Sequence, residues 1–245
     1  MSTLLWIIGA TIFVSLLSLI GVVTLAFNQK VLKKLIIVLV GFSAGGLMGG
    51  AFFHLIPESL EHTSSENVFL FVMVGFVLFF IIERVLHWRH CHKGVCDVHI
   101  FTYMSLIGDG VHNFIDGAII AAAFLVNIPF GIITTLVIVF HELPQELGDF
   151  AVLIHGGFSR KKALWFNFLS AVTAVLGALL VYLASNFFHF LESFLIPFAA
   201  GGFLYVAASD LVPELHKEPN HKKAFASFLF FLVGLIFMFL IKLGL

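Results

Sequence analysis

Asp109-Gly-Val-His112-Asn113-Phe-Ile-Asp116-Gly117 and His141-Glu142-Leu-Pro144-Gln145-Glu146-Leu-Gly-Asp149 set acids and imidazoles inside two consecutive apolar stretches. An ionisable side chain at the bilayer centre costs about 2.5–3.5 kcal/mol, so such residues normally face a protein interior and mark an ion or substrate path. On a helix, His112 and Asp116 are four apart and share a face, with Asn113 beside them and Asp109 one turn earlier. His141 likewise shares a face with Gln145, and Glu142 shares one with Gln145 and Glu146. Pro144 has no amide to donate, which leaves the Phe140 carbonyl without its usual partner and predicts a kink inside the cluster. Irregular backbone beside acids in a membrane helix is what broken-helix ion sites are made of.

Single polar residues in membrane helices often only glue one helix to another, at about 1 kcal/mol per contact. His112, Asn113, Asp116, His141, Glu142, Gln145 and Glu146 on two adjacent stretches exceed what glue requires. Imidazole, carboxylate and carboxamide without thiolate suit zinc, iron, manganese or nickel better than copper(I).

Outward from these stretches the chain stays apolar. Hydrophobic residues make up 60% and charged ones only 11%, with 31 Phe, more apolar surface than a soluble domain of this length needs. A net charge of −1 argues against nucleic acid as a partner, while the apolar composition makes the lipid bilayer one. Eight stretches match the length a bilayer requires, at roughly 4–27, 35–57, 67–86, 100–126, 129–155, 163–185, 194–215 and 222–244. The expected fold is an all-α polytopic membrane protein of eight transmembrane helices, one transmembrane transporter domain over 1–245. The first stretch has no basic residue before Lys30 and so lacks the charged start of a cleaved signal peptide.

Basic residues orient these spans. Lys30, Lys33 and Lys34; Arg84, Arg89 and Lys93; Arg160, Lys161 and Lys162; and Lys217, Lys222 and Lys223 fall in the first, third, fifth and seventh connections. The positive-inside rule makes those connections cytoplasmic and puts both termini outside. The segment Phe42-Ser-Ala-Gly-Gly-Leu-Met-Gly-Gly-Ala-Phe-Phe-His-Leu-Ile-Pro-Glu58 also aligns without gaps on Phe198-Ala-Ala-Gly-Gly-Phe-Leu-Tyr-Val-Ala-Ala-Ser-Asp-Leu-Val-Pro-Glu214. The first copy runs outward and the second inward, an inverted repeat of the kind that places a substrate site near the midplane. Its glycines predict close packing against, or sliding past, the central pair of spans.

The motifs themselves point to a family. His112-Asn113-Phe114-Ile115-Asp116-Gly117 and His141-Glu142-Leu143-Pro144-Gln145-Glu146-Leu147-Gly148-Asp149-Phe150 resemble the fourth- and fifth-helix signatures of the ZIP family of divalent-metal transporters, closest to the subgroup whose fifth helix reads HExPHExGDF. One departure is Gln145, which stands where that subgroup has a second His. The resemblance implies a 3+2+3 arrangement, with spans 1–3 and 6–8 around spans 4–5. It also implies import of a divalent cation into the cytosol, Zn2+ first, with Fe2+, Mn2+ and Cd2+ as further substrates.

Around that core the sequence marks a pathway. His54 and Glu58 close the second span at its outer end, and Asp210 and Glu214 close the seventh at its inner end, where acids raise the local cation concentration. The expected ion exchanges water for His112, Asp116, His141 and Gln145. A second shares Asp116 with Asn113, Glu142 and Glu146, and release runs past Asp149, His155, Asp210 and Glu214, with Asp109 on the same path. Asn167 and Ser170 in span six offer weak oxygen donors, or ordinary helix-helix hydrogen bonds. The third connection, 87–99, gathers His87, His90, Cys91, His92, Cys96 and His99, a set able to capture zinc labilely on the cytoplasmic side. An integral protein of the plasma (inner) membrane, with a homodimer as the candidate assembly, completes the expectation. The rival reading is an intramembrane zinc metalloprotease, because His141-Glu142-Leu-Pro-Gln145 is one residue short of HExxH. The missing second His and the bend at Pro144 count against it.

Overall fold

Inside a bilayer every backbone polar group must find its partner within the protein, so apolar runs of this length close into helices. The computed structural model describes residues 2–21, 29–88, 98–185, 187 and 190–244. Every regular element among them is helical. Among the described residues, eight helical stretches are long and apolar enough to cross a membrane: Thr3–Ile20, Ile36–His62, Ser65–Val85, Ser105–Val126, Ile128–Ile154, Arg160–Ser185, Ser193–His216 and His221–Lys242, spans one to eight. The expected count holds, and the second span runs past Pro57 to His62.

Two spans change helical pitch at related places. Span two opens into a π-helical turn at Ala51–Leu55, and span seven does so at Val206–Leu211. Each turn lies just before a proline, Pro57 or Pro213, which withholds an amide and crowds the carbonyl four residues back. The two turns coincide in the alignment of the repeat.

Packing follows the same symmetry. Span two lies along span eight and span seven along span three, each at backbone contact. A Cβ on Gly45 would strike the Phe231 carbonyl, and one on the equivalent Gly201 would strike that of Val72. Conversely, Gly234 meets the carbonyl of Phe42 and Gly75 meets that of the equivalent Phe198. Small residues permit such approach. The expectation that all these glycines face the central pair is thereby corrected. Gly45 and Gly49 face span eight, and Gly201 and Gly202 face span three, while Gly46 and Gly50 turn to Phe140 and Val137 of span five. The reason is helical periodicity, which in span two puts Gly45 and Gly49 on one face and Gly46 and Gly50 on another.

Spans one, four, five and six form a second group. Span four meets span six where Gly117 faces Ala174 and Gly177 faces Phe114. Span six is itself broken at Val172, where Val175 donates to the Val172 carbonyl three residues back, and Ser15 of span one donates to the Ala171 carbonyl at 2.8 Å. The apolar core fills the half of the molecule toward the even-numbered connections, through Leu47, Leu55, Ile119–Phe124, Val137, Ile138 and Ile196–Phe203.

Candidate metal site

His112 lies near the middle of the helix Val98–Val126, and His141 near the middle of Ile128–His155. These helices pack side by side, so the two shared faces read from the sequence meet each other. Four ligating atoms converge, one each from His112, Asp116, His141 and Glu142, all within 4.8 Å of one another. The His112 and His141 Nε2 atoms are 3.1 Å apart. His141 Nε2 is 3.0 Å from Asp116 Oδ2 and 3.5 Å from Glu142 Oε1, and His112 Nε2 is 3.6 Å and 3.3 Å from the same two oxygens. Zinc bound at about 2.0–2.1 Å to N and O in a tetrahedron holds its ligand atoms about 3.3 Å apart. The five separations that involve an imidazole nitrogen, 3.0–3.6 Å, bracket that value.

The donor chemistry agrees with the spacing. Asp116 Oδ2 and both Glu142 carboxylate oxygens are buried without an aligned hydrogen bond, even where a ring nitrogen is near. A buried anion left so is costly unless a cation or a proton meets it. His141 Nδ1 contacts the Val137 carbonyl at 3.4 Å, and as donor there it leaves Nε2 with a lone pair toward the cluster. The rings of Phe79 and Phe203 stand against His112 and His141, apolar walls from spans three and seven.

The other expected ligands lie around this centre. Glu142, expected with a second ion, turns Oε1 into the first cluster. Asn113 donates to Asp109 Oδ1 at 2.8 Å, and Asp109 also accepts from Ser170 of span six. Glu146 accepts from Asn167, which also donates to the Ser18 carbonyl at 3.2 Å. Asn113 Oδ1, Glu142 Oε2, Glu146 Oε1 and Asn167 Oδ1 remain buried and unpaired, all of them oxygens. Gln145 lines, together with His112, the wall of a cavity of about 470 Å³.

That cavity leads away from His112. Asp109, Asp149, Ser105, Glu83, Tyr205 and Asp210 line it, on the halves of their helices next to the Lys- and Arg-bearing connections. Ser105 donates to Asp149 at 3.5 Å, and the Tyr205 hydroxyl donates to Glu83. Sequence reasoning passed over Glu83 and Tyr205. An acid near the C-terminal end of the third span was the signal available. Of the remaining pathway expectations, Glu214 is exposed and paired with Lys217 at 2.6 Å, and His54 is buried with Nε2 at 2.8 Å from the Met238 carbonyl. Glu58 is 3.5 Å from His62 and accepts from Asn127 at 3.5 Å. The expected His/Cys capture set falls on 89–97, outside the described residues, with His87 and His99 at its edges; the side chains of those two and of His155 are outside them too.

Comparison with known proteins gives this geometry a lineage. The pattern that describes the ZIP zinc transporter family matches residues 3–95 and 89–242, nearly the whole chain. The chain belongs to the ZIP family. Among its ZIP relatives, zinc transporter zipt-7.1 of Caenorhabditis briggsae is 30% identical over 75% of this chain and 63% of its own length. Zinc transporter ZIP13 of Pongo abelii is 31% identical over 84% of this chain and 66% of its own, and metal cation symporter ZIP14 of Xenopus tropicalis is 29% identical over 94% and 66%. The chain thus spans just under two thirds of the length of these ZIP relatives.

Proposed function

We propose that this ZIP chain carries divalent metal cations, zinc first, across a membrane through the site formed by His112, Asp116, His141 and Glu142. The observation that carries the reading is the meeting of two imidazole nitrogens and two unsatisfied carboxylate oxygens within 4.8 Å of one another, midway along two membrane helices. The cation exchanges water for these four atoms, and Fe2+, Mn2+ and Cd2+ use the same donors. A second cation is held by Asn113, Glu142 and Glu146, joined by Asn167; their unpaired buried oxygens support this, and Glu142 bridges the two ions. The carboxylates then repel each other less than they would alone.

The core on the side of the even-numbered connections and the acid-lined cavity on the other support an inward-facing state. With the basic connections in the cytoplasm, the ion leaves past Gln145, Asp109, Asp149 and Asp210 toward His155 and Glu214, and Glu83 extends that route. His54 and Glu58 receive it from outside once the central helices shift against spans two and seven. The assembly is a homodimer in the plasma (inner) membrane, with its termini outside, and the third connection captures the released metal with His87, His90, Cys91, His92, Cys96 and His99. The 3+2+3 arrangement is supported by the equivalent contacts of spans two and seven. A protease reading finds no second His at Gln145 to hold zinc.

Uptake of radiolabelled zinc into proteoliposomes, with and without Glu142→Ala, tests the proposal. Transport by the unaltered chain and its loss in the variant are expected. No uptake, together with cleavage of a membrane peptide, would overturn the choice.

A further inference from the structure

Pro144 leaves one backbone carbonyl, that of Phe140, without the amide that would normally close it, and Phe140 directly precedes His141. The helix nevertheless runs on through Pro144. The missing donor comes from another span: the Ser43 hydroxyl of span two donates to the Phe140 carbonyl. Ser43 is fully buried. Hydroxyls in helices commonly turn back onto their own backbone, as Thr11 does to Ile7, Ser59 to Leu55 and Thr135 to Gly131. Ser43 reaches across to a different span.

The repeat sharpens the contrast. Ser43 aligns with Ala199, so the second copy packs at this place without a hydroxyl, and packing alone does not call for one. Span five adjoins the first copy at this level, through Gly46 and the Phe140 ring. That ring is held edge-on by Phe42 at 4.8 Å and by Phe237 at 5.7 Å. Both the backbone and the side chain of Phe140 are therefore fixed by spans two and eight.

We infer that Ser43 is a positioning residue for the metal site: its hydroxyl closes the carbonyl that Pro144 leaves open, and so sets the turn that presents His141 and Glu142. This hydrogen bond crosses from spans one, four, five and six to spans two, three, seven and eight, as does the exposed one from Asn127, in the fourth connection, to Glu58. The bond joins the two groups of helices one residue from His141. The inference rests on the metal reading of the site.

Ser43→Thr and Ser43→Val are isosteric and differ only in the hydroxyl. Zinc uptake in proteoliposomes should give a KM near that of the unaltered chain for Thr and about tenfold higher for Val, as the loss of a group that orients a ligand does, with a smaller change in maximal rate. Pro144→Ala returns an amide to the Phe140 carbonyl, so in that background the step from Ser to Val should no longer raise KM. Equal KM for Thr and Val, or the same Val effect in both backgrounds, overturns the inference. If Ser43→Val does not fold while Ser43→Thr does, the yield of folded protein is the readout. Recovery in the Pro144→Ala background supports the role, and no recovery overturns it. An unaltered chain that takes up no zinc refutes the transport reading alone. The positioning is then read from amide hydrogen exchange over 137–145, which must rise in the Val variant and stay unchanged in the Thr variant.

Discussion

Each carboxylate of the candidate site is held where water cannot serve it, and that sets what its loss should do. Glu142 is fully buried with neither oxygen hydrogen-bonded, and it faces both imidazoles. Replacing it with Ala removes a carboxylate of the candidate site and should lower zinc uptake by at least about tenfold, measured as initial rate in proteoliposomes. Asp116→Asn keeps the shape but not the charge, and should weaken zinc binding by a similar factor in equilibrium dialysis. Gln145 is the informative neighbour, because it lines the cavity beside the cluster. Gln145→His should tighten zinc binding about tenfold and shift competition against Mn2+, since imidazole favours zinc. Unchanged affinity and preference would mean that Gln145 never touches the ion. Much of this residue-level picture was legible in the sequence, because positions four apart on a helix share a face whatever surrounds it. What was not legible is which way Glu142 turns. It shares a helix face with Gln145 and Glu146, and only the placement of span four decides that one oxygen meets His112.

Helix contacts, at the next scale, rest on atoms that are missing. Gly45 and Gly234 let spans two and eight touch backbone to backbone, and Gly201 and Gly75 do the same for spans seven and three. A methyl at Gly45 meets a carbonyl that cannot step aside, so Gly45→Ala should destabilise the fold by about 1–3 kcal/mol, seen as a lower Tm in detergent. Gly148, with open space beyond it, is the control whose substitution by Ala should leave Tm almost unchanged. Breaks in the helices are sealed by hydroxyls from neighbours, Ser43 on Phe140 and Ser15 on Ala171. Leaving such a buried carbonyl unpaired costs about 1–3 kcal/mol. The sequence announced the break at Pro144 but not its partner, because a carbonyl can be closed by any span that comes near it.

For the whole molecule, the arrangement is one-sided: an apolar core toward the even-numbered connections and an acid-lined cavity toward the basic ones. With Cys91 and Cys96 replaced by Ser, Asp149→Cys should react with a membrane-impermeant thiol reagent applied to the side of the basic connections, and zinc should slow it. Faster labelling from the opposite side would reverse the assigned orientation. By itself the sequence determined that the chain has eight stretches long and apolar enough to cross a membrane, which family it resembles, and which two helices carry the candidate ligands. Run length, charge asymmetry and four-residue spacing are local properties that no neighbour can change. Tertiary structure alone decided which oxygens remain unpaired, that Asp109 and Glu146 turn to span six, that Glu83 and Tyr205 line the cavity, and that Ser43 closes the turn before His141. Those pairings join residues distant along the chain, and they exist only once the helices have packed.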